Sequence, residues 1–420
     1  MKILLVTEYF YPQSSGGTEL YVYNLAKALQ QKLHQVEVLS VSDSGRKVSN
    51  YNGIVVHYIP FNQNPETIVI SGEKPSDNLG FFVETVQKIN PDVVHFHTLT
   101  TSISAFHAEA VKQNGYKTVL TSHIASHTCL RGTLMQNGKK VCNGKVEEQK
   151  CLSCYLQNQG VPEPLNRLLT FAVRATGFPK NLAKVVTRKK NELAKLNLNL
   201  DRLVVVSNWQ KAAFTENNLS EVKTALCRQA IETCQIATTK KIEKSKLVIG
   251  FLGRVSAIKG LHVLLDALKN TAVKNFELKI AAIPVLAEST YYQQLKNRVE
   301  NMPNASWTEN LSNDKVRDFL SELDVLCVPS QVLETGPFVV YEALAQGVPV
   351  LGSNLGGIAE LISEGKNGWL FPHQDKKYLG SLIASFITQK SVGKLLKDVE
   401  PIARPLNKLA EEMILIYNDL

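Results

Sequence analysis

The sequence predicts an α/β protein made of two successive α/β units, and three observations carry this expectation. Short apolar runs of strand length alternate with segments of helical apolar spacing, the pattern of a largely parallel sheet with helices on both faces. The alternation fades in a polar, Lys-rich stretch at 222–245 and then restarts. The length of 420 residues exceeds what one hydrophobic core usually serves. With 44% hydrophobic and 20% charged residues the chain is globular, which excludes a disordered, collagenous or coiled-coil protein.

In the first unit, strands are expected at 3–6 (ILLV), 36–41 (VEVLSV), 54–59 (IVVHYI), 93–96 (VVHF), 118–121 (TVLT) and Arg202–Val206. Between the first two, Leu20, Tyr23, Leu25, Leu29 and Leu33 form an apolar stripe that predicts a helix over Thr18–Leu33. Helices are also expected near 79–89 and 102–113, and Ser207 is a good cap for one through Trp209–Glu216. In the second unit the strands are Leu247–Leu252, Phe276–Ala282, Asp324–Val328 and Val348–Leu351. The intervening helices are Gly260–Leu268, Tyr291–Val299, Asp314–Ser321 and Gly336–Ala345, with a helical turn at Ile358–Ile362. A last helix over 402–417 carries Ile402, Leu406, Leu409, Met413 and Ile416 on a stripe that needs a partner surface.

No apolar run approaches the roughly 18 residues of a membrane span. MKILLVTEYFYP reaches Glu8 too early for the apolar core of a signal peptide and reads as a first buried strand, so a soluble cytoplasmic protein is expected. The formal charge is +9, and residues 184–259 alone hold 15 Lys/Arg against 6 Asp/Glu. Nucleic acid, an anionic membrane surface or a phosphorylated substrate can use such an excess. No nucleic-acid-binding signature accompanies it, so no nucleic acid is expected as a partner. A solvated basic face stands as the alternative to peripheral contact with the inner face of a membrane.

Several residues can carry chemistry. Gly16 and Gly17 precede the first helix, where backbone can approach a ligand and helical N–H groups are unpaired. In GFLGRVSAIKG, Arg254 and Lys259 sit at a strand-to-helix junction suited to a phosphate. In PSQVLETGPFVVYEALAQGVPV, Glu334 lies in a loop and Glu342 in the following helix, with Pro337 in its first turn and Gly347 ending it. Glu334 can accept sugar hydroxyls. Glu342, among mostly apolar neighbours, needs a partner, which a ribose diol can supply. Gly356 and Gly357 follow another strand and offer amides to a phosphate or sugar. Asp92, His95, His97, His123 and His127 gather near two strand ends, and alternation points His95 and His97 to one side. For each histidine singly, a packed structural role outweighs a catalytic one.

Cys129, Cys142, Cys151 and Cys154 follow C-x12-C-x8-C-x2-C. Four thiolates with one pair at this spacing fit a structural tetrahedral zinc site. Two disulfides fit the spacing too, but an intracellular setting and an odd total of seven cysteines disfavour them, and free thiols stand as a further alternative.

The Gly16-Gly17 loop, Gly253-Arg254 with Lys259, the E-x7-E pair Glu334/Glu342 in EALAQGVPV, and Gly356-Gly357 with Glu360 together resemble glycosyltransferase family 4, retaining transferases of GT-B fold. The resemblance spans essentially the whole chain. It implies two Rossmann-like domains facing an interdomain crevice, with the last helix crossing back to the N-terminal domain. Expected boundaries are 1–225 for the acceptor domain, with the cysteine insert at 126–160, then 226–245 for the connector, 246–395 for the donor domain and 396–420 for the returning segment. Arg254 and Lys259 are implied to bind donor phosphates, Glu342 the ribose and Glu334 the donor sugar. His123 matches the family's crevice histidine, and Gly17 would approach donor phosphate or acceptor. The insert resembles that of a subset acting on bacterial cell-surface polysaccharides.

The implied activity is retaining transfer of a hexosyl unit from a nucleoside-diphosphate sugar to a glycan or lipid-linked saccharide, without a catalytic metal. The alternatives are a nucleotide-sugar-binding protein lacking transfer, or an epimerase of the same fold. The chain departs from the family at ETGPF, where E-x-F-G is usual, at LCRQAIETC in the link, and at His123, which IAS follows.

Overall fold

A computed structural model describes all residues except 15, 233–245, 271–274 and 389–401. Most of the expected connector 226–245, with Cys234, and residues 396–401 of the expected returning segment fall outside the described residues. The chain forms two compact units, Met1–Gln229 with Leu406–Leu420, and Ala230–Pro405.

The first unit holds strands β1 (Lys2–Val6), β2 (Gln35–Ser42), β3 (Lys47–Tyr51), β4 (Ile54–Pro60), β5 (Val93–Phe96), β6 (Lys117–Ser122), β7 (Met135–Gln136), β8 (Lys140–Val141), β9 (Arg202–Val205) and β10 (Thr224–Leu226). Eight of them make one sheet in the order β10-β9-β6-β5-β1-β2-β4-β3, and β7 pairs with β8. The eight-stranded sheet is parallel except for the antiparallel β3–β4 edge. Its central strands are buried on both faces, as continuous Val/Ile/Leu runs predict.

The first helix is Gly17–Gln31, and the expected apolar stripe needs correction. Tyr21, Val22, Leu25, Ala26, Ala28 and Leu29 form its buried face. Leu33 lies beyond the helix in left-handed backbone and is almost fully exposed. The C-terminal helix Leu406–Asn418 packs on Gly17–Gln31 through Leu409, Ala410, Met413 and Tyr417. The expected stripe is therefore shifted: Ile402 precedes the helix and is exposed, while Tyr417 replaces Ile416 as the buried terminal residue.

The second unit holds β11 (Leu247–Arg254), β12 (Phe276–Ile283), β13 (Ala305–Glu309), β14 (Val325–Val328), β15 (Val350–Ser353) and β16 (Gly368–Phe371) in a parallel sheet ordered β13-β12-β11-β14-β15-β16. Pro337 caps the helix Phe338–Ala345 in extended conformation and does not occupy its first turn. Two α/β units, with the last helix returning to the first, make the GT-B fold. No helix among the described residues is long and apolar enough to cross a membrane.

Candidate functional site

In the second sheet, strand order reverses between β11 and β14. At such a switch point the loops leaving the two strands diverge and open a ligand crevice at the carboxyl ends. Arg254 ends β11, exposed, and Lys259 closes the short turn Ala257–Lys259. Gly260 follows with φ +74°, and a Cβ there would lie 1.9 Å from the Pro329 carbonyl oxygen. Only glycine lets the loops after β11 and β14 touch. That contact carries Lys259 to the second loop, where its Nζ donates to Glu334 Oε1 at 2.6 Å. Ser330 Oγ donates to the same oxygen at 2.7 Å.

Burial pushes the Glu334 carboxyl up, but the Lys259 charge and hydrogen bond, Ser330 and the Arg254 charge outweigh it and hold the group below its usual range. Two residues expected to bind different parts of a donor thus form one cation–carboxylate pair. Gly357 donates its backbone N–H to the Glu334 carbonyl at 2.6 Å, and a Cβ on Gly357 would lie 2.7 Å from the Thr335 carbonyl oxygen. Its amide is engaged in fastening the Glu334 loop.

Glu342 sits in the first turns of Phe338–Ala345. Burial raises its carboxyl to about 7, and among the described residues it has no hydrogen-bond or ion-pair partner. A largely buried carboxyl is costly without a partner, so the expected need for one persists in the fold.

In the first unit, strand order reverses between β5 and β1. The carboxyl ends of β5 and β6 bring His97 and His123 together, and the helix after the Gly16-Gly17 loop meets them through Tyr21. Tyr21, one turn into the helix that Gly16 caps, sets its ring 4.5 Å from His123 and 5.6 Å from His97. His97 Nδ1 and His123 Nε2 share a hydrogen bond at 3.2 Å. His95 Nδ1 meets Tyr417 Oη at 2.6 Å and its Nε2 meets Thr121 Oγ1 at 2.7 Å. Burial pushes His123 down to about 3, and His95 and His97 well below their usual value, so all three are neutral near pH 7. His127 bonds Ser122 and Asp92 accepts from the Lys2 amide, both packing roles.

Sequence reasoning missed Ser330, Tyr21, Tyr417 and Glu8. Glu8 Oε1 accepts from Thr100 Oγ1 at 2.8 Å and Ser102 Oγ at 3.0 Å, fastening the loop after β5. Ser330 lies in the PSQVLETG run without a signal of its own, and the other three belong to no glycine-flanked motif, so only spatial proximity reveals their roles.

The four cysteines of the insert are free thiols and line one cavity of about 20 Å³. The Cys151 thiol is pushed up by burial, against the Glu147 amide and the Lys150 charge. Asn137 N donates to Cys154 Sγ at 3.3 Å and Glu147 N to Cys151 Sγ at 3.3 Å. Among the described residues, no three His, Cys, Asp or Glu side chains are gathered tightly enough to hold a metal.

This fold and this site define a glycosyltransferase of the GT-B class. Residues 15–231 match the model described as Glycosyltransferase Family 4, and 235–404 that of glycosyl transferases group 1. The chain belongs to glycosyltransferase family 4, and its reaction is transfer of a sugar to an acceptor. It is 25% identical to a 42.6 kDa protein in the cps region of Klebsiella pneumoniae, over 86% of this chain and 87% of that one. A glycosyltransferase of Methanocaldococcus jannaschii is 23% identical over 89% of this chain and 85% of its own length. Among solved structures, the Anabaena protein HepE in complex with UDP shares the fold at TM-score 0.67 and 16% identity, covering 100% of both chains.

Proposed function

We propose that the enzyme is a retaining transferase that moves a hexosyl unit to a glycan or lipid-linked saccharide in cell-surface polysaccharide synthesis. The observation that carries this reading is the Lys259–Glu334 pair at the switch point, with the largely buried carboxyl of Glu342, which has no partner among the described residues, in the following helix. Arg254 and Lys259 neutralise the charge that develops on the leaving diphosphate. Glu334, already bound to Lys259, accepts donor-sugar hydroxyls and keeps that cation in place. Glu342 accepts the ribose diol, Gly356 shapes the loop at the donor sugar, and Gly17 meets phosphate or acceptor. The acceptor hydroxyl oxygen bonds the anomeric carbon as the carbon–phosphate-oxygen bond breaks on the same face, and its proton passes to the departing oxygen. Neutral His123, aligned by His97, hydrogen-bonds a sugar hydroxyl. The glutamates bind the donor and do not act as the paired acid and base of a glycosidase.

The small cavity ringed by Cys129, Cys142, Cys151 and Cys154 has room for one ion, and its amide-to-sulfur bonds suit thiolates. We assign it a structural zinc, held by those four sulfurs and remote from the chemistry. The residues match the group in number and donor type, and the sulfurs close on it when it binds.

The deciding experiment is incubation of purified enzyme with a panel of nucleotide sugars. Calorimetric binding, slow donor hydrolysis and an unchanged anomeric configuration of the product are expected. Binding without turnover, or epimerisation of the donor, overturns the reading. So does unchanged donor affinity in both Arg254→Ala and Lys259→Ala.

A further inference from the structure

The helix Glu163–Thr176 has two apolar faces, and the fold uses one. Leu169 and Val173 pack on the core, and Asn166 donates its amide to the Ser153 carbonyl on the same inward side. On the outward side Leu165 (46%), Leu168 (63%) and Phe171 (68%) are exposed, and Phe178 (67%) follows the helix. At 3.6 residues per turn, the three helical positions fall within an arc of about 120°. Four large exposed apolar side chains so close in sequence form a patch and not the usual scatter.

The setting is basic. From 163 to 190 there are seven Lys/Arg and one acidic residue, Glu163. Arg167 pairs with Glu163, Glu73 pairs with Lys184 and Arg188, Glu148 with Lys190, and Glu192, one turn on in the same helix, with Lys189. Arg174 and Lys180, flanking the exposed rings, have no carboxylate partner among the described residues, and Arg174 donates Nε and Nη1 to the Gln149 side-chain oxygen at 2.8 and 3.1 Å, which leaves its charge unneutralised. This location differs from the segment 184–259 expected from charge alone. There the cations are dispersed, with Lys195 on Glu109, Arg202 on Asp419 and Lys259 on Glu334.

We propose that the outward face of Glu163–Thr176, with Phe178, inserts into the surface of an anionic lipid bilayer, Arg174 and Lys180 meeting its phosphates. An apolar face bordered by cations is the composition of an interfacial helix. A second copy of the chain is the poorer occupant, because a two-fold interface would set these cations against their own equivalents. The proposal gives the membrane contact a place and a mode, and does not depend on the transfer reading. Apolar insertion supplies most of the binding, and charge selects the lipid.

Flotation of the full chain with vesicles tests it. Wild-type protein should float with vesicles about one-third phosphatidylglycerol, and weakly with phosphatidylcholine alone. The variant Leu168→Ser/Phe171→Ser/Phe178→Ser should lose partitioning by at least about tenfold. Arg174→Gln/Lys180→Gln should float alike on both compositions. Unchanged calorimetric binding of UDP shows each variant folded, and its failure in wild type would count against the donor assignment alone. The inference falls if wild type does not float, or if the triple variant floats equally well. It also falls if wild type is a dimer that the triple variant dissociates.

Discussion

Glu342 and Lys259 behave oppositely, because one largely buried group lacks a partner among the described residues and the other supplies one. The Glu342 carboxyl titrates near 7 against 4.5 in an unfolded chain, so the folded state binds more protons between those values. Stability therefore falls as pH rises through that window, by on the order of 3 kcal/mol for this group. Glu342→Gln should gain stability over wild type by about that much between pH 5 and pH 8 in urea titrations. Donor hydroxyls favour the ionised form, so wild type should release a proton on binding UDP below pH 7. Calorimetry in buffers of different ionisation enthalpy reads that proton, and Glu342→Gln should not release it. At Lys259, removal of the ammonium strands the Glu334 carboxylate. Lys259→Ala should lose about 3–5 kcal/mol of stability as well as donor affinity. Lys259→Ala/Glu334→Ala should recover part of the stability and none of the affinity. All four side chains we propose for the donor are legible in sequence, because glycines and apolar neighbours frame them. Their pairing did not, since Lys259 and Glu334 are 75 positions apart and no local pattern records the bond.

At the scale of elements, the loops after β11 and β14 depend on the absence of one side chain. Gly260→Ala places a methyl against the Pro329 carbonyl in left-handed backbone. It should destabilise the second unit by more than about 2 kcal/mol and weaken UDP binding, whereas Ala at the open Gly365 should leave binding unchanged. The central strands were legible because burial on both faces makes them continuous apolar runs. Edge strands β3, β13 and β16 were not. KVSNY and ASWTE are mostly solvent-facing, and GWLF opens with a glycine. The helices Glu148–Asn158, Glu163–Thr176 and Lys180–Asn199 were not expected from the sequence; none buries more than three apolar side chains, and in Glu163–Thr176 the apolar positions lie on two faces and not on one core-facing stripe. The first stripe misled because Leu33 continues the spacing after the backbone has left the helix.

For the whole molecule, two features span long stretches of sequence: the cysteine insert and the returning helix. The insert should carry about one zinc per chain by elemental analysis of protein purified without added metal, and chelation should expose 129–154 to protease while the second unit keeps its melt. Four free thiols without zinc would end that assignment. The returning helix buries Leu409, Met413 and Tyr417 completely or nearly so and closes the Tyr417–His95 hydrogen bond. Tyr417→Phe should cost about 1 kcal/mol, as one net hydrogen bond does. Its stripe signalled in sequence that a partner was needed, yet only strand order and contacts in space identify Gly17–Gln31 as that partner. The same arrangement sets a timetable for synthesis. The first unit is begun at Met1 but completed by Leu406–Leu420, after all of Ala230–Pro405 has been made. At ribosomal speeds of roughly 5–20 residues per second, an interval on the order of 10–35 s separates its two parts. During it the Gly17–Gln31 face of the nascent chain lacks the helix that covers it, so chaperone contact should concentrate on the earlier-made half.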